Sequence, residues 1–123
     1  MPIRFLTSKL HGVADYGAAA GLIVLPFILN LGQSSPIALW LSVTTGIVVI
    51  IVSLLTDYYL GAVRIIPFKL HLVADLAVAI LFTVAPFILH FSGLDAYFYW
   101  ANAAAVYMIV AVTKLPESVV SAE

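Results

Sequence analysis

The chain has 123 residues, of which 64% are hydrophobic and only 9% are charged, and its formal net charge is -1. A soluble domain carries about 25% charged residues, so this composition excludes an ordinary soluble protein, and a net charge near zero gives no sign of a nucleic-acid partner. The absence of cysteine excludes disulfides, thiolate metal sites and haem attached through thioethers.

Four apolar segments follow one another along the chain, at about residues 10–31, 37–56, 70–91 and 97–115. Each is close to the roughly 20 residues that a helix needs to cross a bilayer. None shows the alternation of a barrel strand, and backbone groups in hydrocarbon must be satisfied within the segment. The sequence therefore predicts an all-α, polytopic membrane protein with four transmembrane helices in one domain, residues 1–123.

Two heptapeptides show that the chain contains a repeat. KLHGVAD at residues 9–15 recurs as KLHLVAD at residues 69–75, and PFIL at 26–29 recurs at 86–89. The two halves align without a gap at an offset of 60, which predicts two tandem helical hairpins, residues 1–60 and 61–120. Each unit has two spans, so the copies enter the membrane in the same direction as a parallel repeat. The internal recurrence also favours a retained first helix over its rival, a cleaved signal peptide.

The basic residues predict the orientation. All five lie at the same side of the predicted bundle, at Arg4, Lys9, Arg64, Lys69 and Lys114. Positive charges gather on the cytoplasmic side of membrane proteins, so we expect both termini in the cytoplasm. The expected location is the bacterial inner membrane, with the lipid bilayer as the main partner.

Each unit carries a proline near the end of its first helix, where it removes one hydrogen bond and bends the chain. The residues around it are Leu25-Pro26-Phe27 with Trp40, and Ala85-Pro86-Phe87 with Phe91-Ser92-Gly93 and Trp100. This pattern resembles the SPW-repeat family of small membrane proteins, whose hairpin unit ends its first helix in Ser-Pro-Trp. Here leucine or alanine replaces the serine and phenylalanine replaces the tryptophan. The resemblance implies the hairpin fold and no defined activity.

The candidate site residues are His11, Asp15, His71 and Asp75. A histidine and an aspartate four residues apart share one face of a helix and can touch. The repeat places both pairs at the same depth, one or two turns inside the cytoplasmic surface. Ionisable groups within a membrane segment are costly to bury, so each is a candidate for function.

Several interpretations of these pairs are open. The one we favour is structural: with Thr7 or Ser8 capping the helix, each pair would bind a Lys or Arg of the other unit and hold the bundle together. The alternatives are a haem b ligated by His11 and His71, a divalent metal held by all four residues, or a proton or ion pathway in an oligomer. No glycine-rich nucleotide loop or activated serine is visible, so we expect no catalytic residue and no enzyme.

Gly17 and Gly21 form a GxxxG pattern in the first apolar segment. Small residues at this spacing let two membrane helices pack closely. The pattern predicts close packing of this face, either against a helix of the same bundle or against a second copy in a homo-oligomer.

Overall fold

The computed structural model describes residues 3–115, which form four α-helices and no strand beyond two isolated bridges. The helices are α1 (Ser8–Ile28), α2 (Pro36–Leu54), α3 (Phe68–Ile88) and α4 (Gly93–Val112). The predicted all-α architecture with four helices is confirmed. Helices α1, α2 and α3 are long and apolar enough to cross a membrane, as expected of an integral membrane protein. The chain termini, predicted to be cytoplasmic, lie outside the described residues.

Helix α4 differs from the other three in composition. It is 20 residues long, which is enough to cross a bilayer, but it falls outside the group of apolar spans. The reason is that it carries Asp95, Asn102 and several tyrosines. Asp95 is only 2% exposed. It lowers the mean hydropathy of α4, but its side chain is buried inside the bundle.

The helix ends lie one to four residues earlier than predicted at every boundary, and local signals explain them. Thr7 caps α1 by accepting a hydrogen bond from the Leu10 amide at 3.2 Å, and Pro36 begins α2 after Ser35. After α1 and α3 the chain turns at Asn30 and His90, with φ of 53° and 58°. His90 and its counterpart therefore share a left-handed position that follows a helix end.

The helices pack as two hairpins, α1 against α2 and α3 against α4, with much looser backbone contact between the hairpins. Gly46 shows how closely the first pair packs. A Cβ atom there would lie 2.7 Å from Cγ1 of Ile23 and 2.9 Å from the Ala19 carbonyl oxygen. Only glycine permits this approach of α2 to α1.

Polar contacts join the two hairpins at the end that carries the α1–α2 and α3–α4 loops. The Asp95 carboxylate accepts hydrogen bonds from the backbone amides of Gly32 and Ser34 at 2.8 and 2.9 Å, and from the Ser34 hydroxyl at 2.5 Å. One turn further on, the Tyr99 hydroxyl donates to the Ala38 carbonyl at 2.7 Å. The first residues of α4 are thereby fixed to the loop of the other hairpin.

At the opposite end, two isolated bridges close the bundle. Leu6 pairs with Thr113, and Ile66 pairs with Thr56. Leu6 leads into α1 and lies beside Thr113, just after the end of α4. Ile66 leads into α3 and lies beside Thr56, just after the end of α2. This pairing places a threonine next to the start of each first helix.

The spacing of the helices departs from an ungapped repeat. Helices α1 and α3 are offset by 60 residues at both ends, but α2 and α4 begin 57 residues apart. The cause is the loop before α4, residues 89–92, which is three residues shorter than the loop 29–35 before α2. Thr113 is therefore the structural counterpart of Thr56. The ungapped alignment pairs Thr113 with Ser53 instead.

Candidate functional site

The four candidate residues converge on one point between α1 and α3. Nε2 of His11 lies 3.2 Å from Oδ1 of Asp15 and 2.9 Å from Oδ2 of Asp75. Nε2 of His71 lies 3.0 Å from Oδ2 of Asp15 and 3.4 Å from Oδ1 of Asp75. Each carboxylate thus bridges both imidazoles, and the four side chains form a closed ring, which we call the His–Asp cluster.

The cluster is buried although it lies near the beginnings of its helices. His11 and His71 are 0% and 1% exposed, and Asp15 is 7% exposed. Within each helix the i, i+4 spacing places the aspartate one turn beyond its histidine, as the sequence predicted. The contacts between α1 and α3, however, are as short as those within each helix. The expected partners, a Lys or Arg of the other unit, are replaced by the second His–Asp pair.

Two threonines fix the orientation of the imidazoles. Nδ1 of His11 lies 2.7 Å from Oγ1 of Thr113, and Nδ1 of His71 lies 2.6 Å from Oγ1 of Thr56. Each hydroxyl donates its own proton to the carbonyl four residues earlier, at 2.5 Å for Thr113 and 2.7 Å for Thr56. A hydroxyl has a single proton, so each threonine must accept from the imidazole. Both Nδ1 atoms therefore carry hydrogen, and the two Nε2 atoms face the carboxylates.

Tyr58 and Phe68 cover the cluster on the side of the α2–α3 connection. The Tyr58 hydroxyl donates to Oδ2 of Asp15 at 3.0 Å. Burial, reinforced by the Asp15 carboxylate, raises the pKa of the Tyr58 hydroxyl above its usual range, so it remains a donor. The Phe68 ring lies edge-on to His11 with 5.3 Å between the ring centroids, and the Tyr58 ring lies 5.4 Å from His71.

One ring nitrogen in the cluster is left without a hydrogen bond. Nε2 of His71 is fully buried and has no hydrogen-bond partner of acceptable geometry within residues 3–115, although two carboxylate oxygens lie nearby. Buried polar atoms are nearly always paired, so an unpaired one calls for an explanation. A lone pair on this nitrogen directed at a cation would supply one, and so would a proton shared with the Asp15 carboxylate 3.0 Å away.

Small rotations of the two carboxylates would let the four residues surround one metal ion. One ligand atom from each of the four residues can be chosen so that all lie within 4.8 Å of one another. The four nitrogen–oxygen separations of 2.9 to 3.4 Å involve both oxygens of each carboxylate, so they do not all belong to one set of four ligand atoms. Neighbouring ligands about 2.0–2.1 Å from a central ion are about 3.3 Å apart in a tetrahedron. The threonine hydroxyls would complete the outer layer of hydrogen bonds that such histidines need.

The same geometry does not leave room for a haem. A porphyrin would have to lie between the imidazoles, where Asp15 and Asp75 bridge them. Gly12, which could have made room beside His11, is covered closely: a Cβ there would lie 3.0 Å from Leu60. The cavity next to the carboxylates has a volume of about 100 Å³, below the roughly 300–1,000 Å³ of sites for organic ligands.

The sequence identified the four central residues but missed the three that support them. Thr56, Thr113 and Tyr58 follow helix ends, and an ungapped alignment does not bring the two threonines together. The neighbouring lysine of the heptapeptide stays outside the cluster, since Nζ of Lys9 lies 4.5 Å above the ring of Tyr59. The third histidine, His90, lies at the other end of the bundle.

Comparison with protein-family models, with curated proteins and with solved structures found no match to this chain.

Proposed function

We propose that this protein is a four-span membrane protein that binds one divalent transition-metal ion at the His–Asp cluster. The observation that carries the proposal is the convergence of four ligand groups, three buried and Asp75 partly buried, with the outer imidazole nitrogens already held by threonines. This is the arrangement of a metal site, in which hydrogen bonds fix the tautomer of each histidine and direct its second nitrogen at the ion.

The membrane part of the proposal includes α4. Its first acidic residue is satisfied by the loop of the other hairpin, and exposed side chains such as Leu94, Tyr97 and Met108 are suited to lipid. The five basic residues flank the end of the bundle that holds the cluster, which favours a cytoplasmic location for that end in a bacterial inner membrane. The same proposal includes membership of the SPW-repeat family. It also includes an internal duplication that gave rise to the two hairpins.

Charge balance supports an ion in the cluster. Two carboxylates and two neutral imidazoles carry a charge of -2, which a divalent cation neutralises. An uncompensated charge is costly in a buried membrane site, so the cluster holds either two protons or one divalent ion. The two states use the same ligand atoms.

The ligand set selects the class of ion. Imidazole nitrogens suit Zn²⁺, Fe²⁺, Co²⁺ and Ni²⁺, while carboxylates also accept Mn²⁺. Mg²⁺ and Ca²⁺ prefer all-oxygen sites, and Cu⁺ prefers sulfur, which the cluster does not offer. We therefore expect Zn²⁺ and its neighbours in the first transition row.

A purely structural role is the second candidate, because the four contacts are also short enough for ion pairs between protonated imidazoles and the carboxylates. In that role the protonated cluster would join the hairpins without an ion. A proton or ion pathway through a single four-helix bundle has weaker support. Phe82 and Tyr99, 1% and 0% exposed, stack 4.4 Å apart in the centre of the core beyond the cluster.

Equilibrium binding to the purified protein tests the proposal. Chelator-treated protein in detergent should bind about one Zn²⁺ per chain, and the double variant His11→Ala/His71→Ala should lose at least about 100-fold in affinity, more than supporting residues typically contribute. His90→Ala is the matched control, because it removes an exposed histidine far from the cluster. A wild-type protein that binds none of Zn²⁺, Co²⁺, Ni²⁺, Fe²⁺ or Mn²⁺ would overturn the proposal and leave the structural role.

A further inference from the structure

The two carboxylates of the His–Asp cluster differ in their number of polar contacts. Asp15 contacts both imidazoles and also accepts the Tyr58 hydroxyl. Asp75 contacts both imidazoles, but within residues 3–115 it has no tyrosine in the matching position. Its side chain is 16% exposed, against 9% for Asp15. The cluster is therefore more open beside Asp75.

The opening leads into a cavity between the two hairpins. This cavity has a volume of about 100 Å³, and both aspartates lie at one end of it. From there it is lined by Val106 and Ile109 of α4 and reaches Leu22 and Asn102. Asp15 and Leu22 are seven residues apart in α1, which corresponds to a depth of about 10 Å.

Asn102 is the polar residue at the deep end of the cavity. Its amide nitrogen donates to the Phe98 carbonyl at 2.8 Å, which leaves the amide oxygen to accept. On the other side of the cluster, the rings of Tyr58 and Phe68 lie over the imidazoles. An additional ligand of an ion in the cluster can therefore enter from this cavity, which is larger than the second one beside His71 and Asp75, of about 40 Å³.

We infer that an ion in the His–Asp cluster takes a water molecule as a fifth ligand beside Asp75, and that this water continues as a short chain to Asn102. The inference rests on the proposed function. A volume of about 100 Å³ corresponds to about three water molecules, since each takes about 30 Å³ in the liquid. Three waters at hydrogen-bond spacing also span the depth between the carboxylates and Asn102.

A fifth ligand changes what the site can do. Structural zinc sites are tetrahedral and closed by four protein ligands, whereas an ion here would have four protein ligands and expand its coordination to bind water or substrate. A metal-bound water is more acidic than bulk water and exchanges with other small donors. The ligand class that fits here is water and small neutral molecules of a few atoms, because the cavity walls are mostly apolar.

Counting metal-bound water tests the inference. Wild-type protein in lipid nanodiscs, loaded with Mn²⁺ and transferred into ¹⁷O-enriched water, should show at least one exchangeable water in its pulsed EPR spectrum. Val106→Phe, which fills the cavity, should lose that water and still bind one Mn²⁺, and Asn102→Leu should lose it or speed its exchange at least tenfold. Met108→Leu, on the exposed face of the same helix, is the control and should match the wild type.

The outcomes separate the inference from the proposed function. Bound Mn²⁺ without an exchangeable water would show a closed site and overturn the inference alone. A water that persists unchanged in both cavity variants would also overturn it, because the water would then enter elsewhere. Failure to bind Mn²⁺ and, in parallel samples, Zn²⁺, Co²⁺, Ni²⁺ and Fe²⁺ would overturn the proposed function and the inference with it.

Discussion

His11 and Thr113 are separated by most of the chain, yet Nδ1 of the histidine lies 2.7 Å from Oγ1 of the threonine. His71 and Thr56 repeat the contact at 2.6 Å. Both threonines stand just beyond the end of a second helix, and both histidines lie in the first turn of a first helix. The relationship links the fold to the site, because closing the bundle at this end is what assigns the imidazole tautomers.

Replacing either threonine should weaken metal binding without removing a ligand. Thr56→Val and Thr113→Val keep the shape of the side chain but remove the acceptor for Nδ1–H. We expect each variant to lose about 10- to 100-fold in Zn²⁺ affinity, the usual cost of losing the hydrogen bond behind a metal-bound histidine. Competition with a chromophoric chelator measures the change.

Thr45→Val provides the control for these variants. The Thr45 hydroxyl donates to the Leu41 carbonyl at 2.7 Å, so it makes the same bond within its helix but touches no histidine. Its Zn²⁺ affinity should equal that of the wild type. Equal affinities in all three variants would show that the threonines do not orient the ligands.

Tyr58→Phe should separate the support of Asp15 from the packing of the aromatic ring. The variant loses the hydroxyl that donates to Asp15 at 3.0 Å and keeps the ring beside Phe68. We expect about tenfold weaker Zn²⁺ binding, and a loss of about 0.5–1.5 kcal/mol in the free energy of unfolding of the ion-free protein. Chelator competition and thermal unfolding in detergent measure the two effects. Tyr59→Phe, at an exposed neighbouring ring, should change neither quantity.

Two glycines should respond in opposite ways to the same substitution. Gly46→Ala introduces a Cβ atom 2.9 Å from the Ala19 carbonyl oxygen, and we expect it to cost about 1–3 kcal/mol of stability. Gly17→Ala meets nothing within 4 Å inside the chain and should gain up to about 1 kcal/mol from helix propensity. Thermal unfolding compares the two variants. Similar losses in both would contradict the packing of α2 on α1.

Much of the fold could be predicted from the sequence because membrane helices follow directly from length and hydropathy. The i, i+4 spacing likewise predicted the contact within each His–Asp pair. The sequence did not show that the pairs contact each other rather than a basic residue, because this depends on how α1 and α3 meet. The predicted oligomer through Gly17 and Gly21 stays a prediction, because a single chain does not test it. A Cβ atom at Gly17 would meet nothing within 4 Å in this chain.

The sequence did not reveal the roles of Thr56 and Thr113 because the two hairpins have loops of different length. The loop at residues 89–92 is shorter than the loop at 29–35, so the equivalence of Thr56 and Thr113 is hidden in an alignment without gaps. The sequence does not single out Tyr58 as a partner of Asp15. Its role depends on a chain turn that brings it back over Asp15, and hydropathy carries no information about that turn.

The predicted topology can be tested with single cysteines, because the chain has none of its own. Ser92→Cys should react with a membrane-impermeant maleimide added to intact cells, since it lies in the α3–α4 loop. Ala62→Cys and Leu115→Cys, both at exposed positions of the opposite end, should react only after the membrane is opened. Labelling of Leu115→Cys from outside would contradict a membrane-spanning α4.

X-ray absorption spectroscopy of the Zn²⁺-loaded protein tests the central claim most directly, because it reports the atoms around the ion. The geometry predicts a first shell of nitrogen and oxygen at about 2.0–2.1 Å, without sulfur, and outer-shell scattering from two imidazole rings. His11→Ala should reduce that scattering to one ring, and His90→Ala should leave it at two. A wild-type spectrum without imidazole scattering, or a protein that retains no zinc, would contradict the assignment of His11, Asp15, His71 and Asp75 as a metal site.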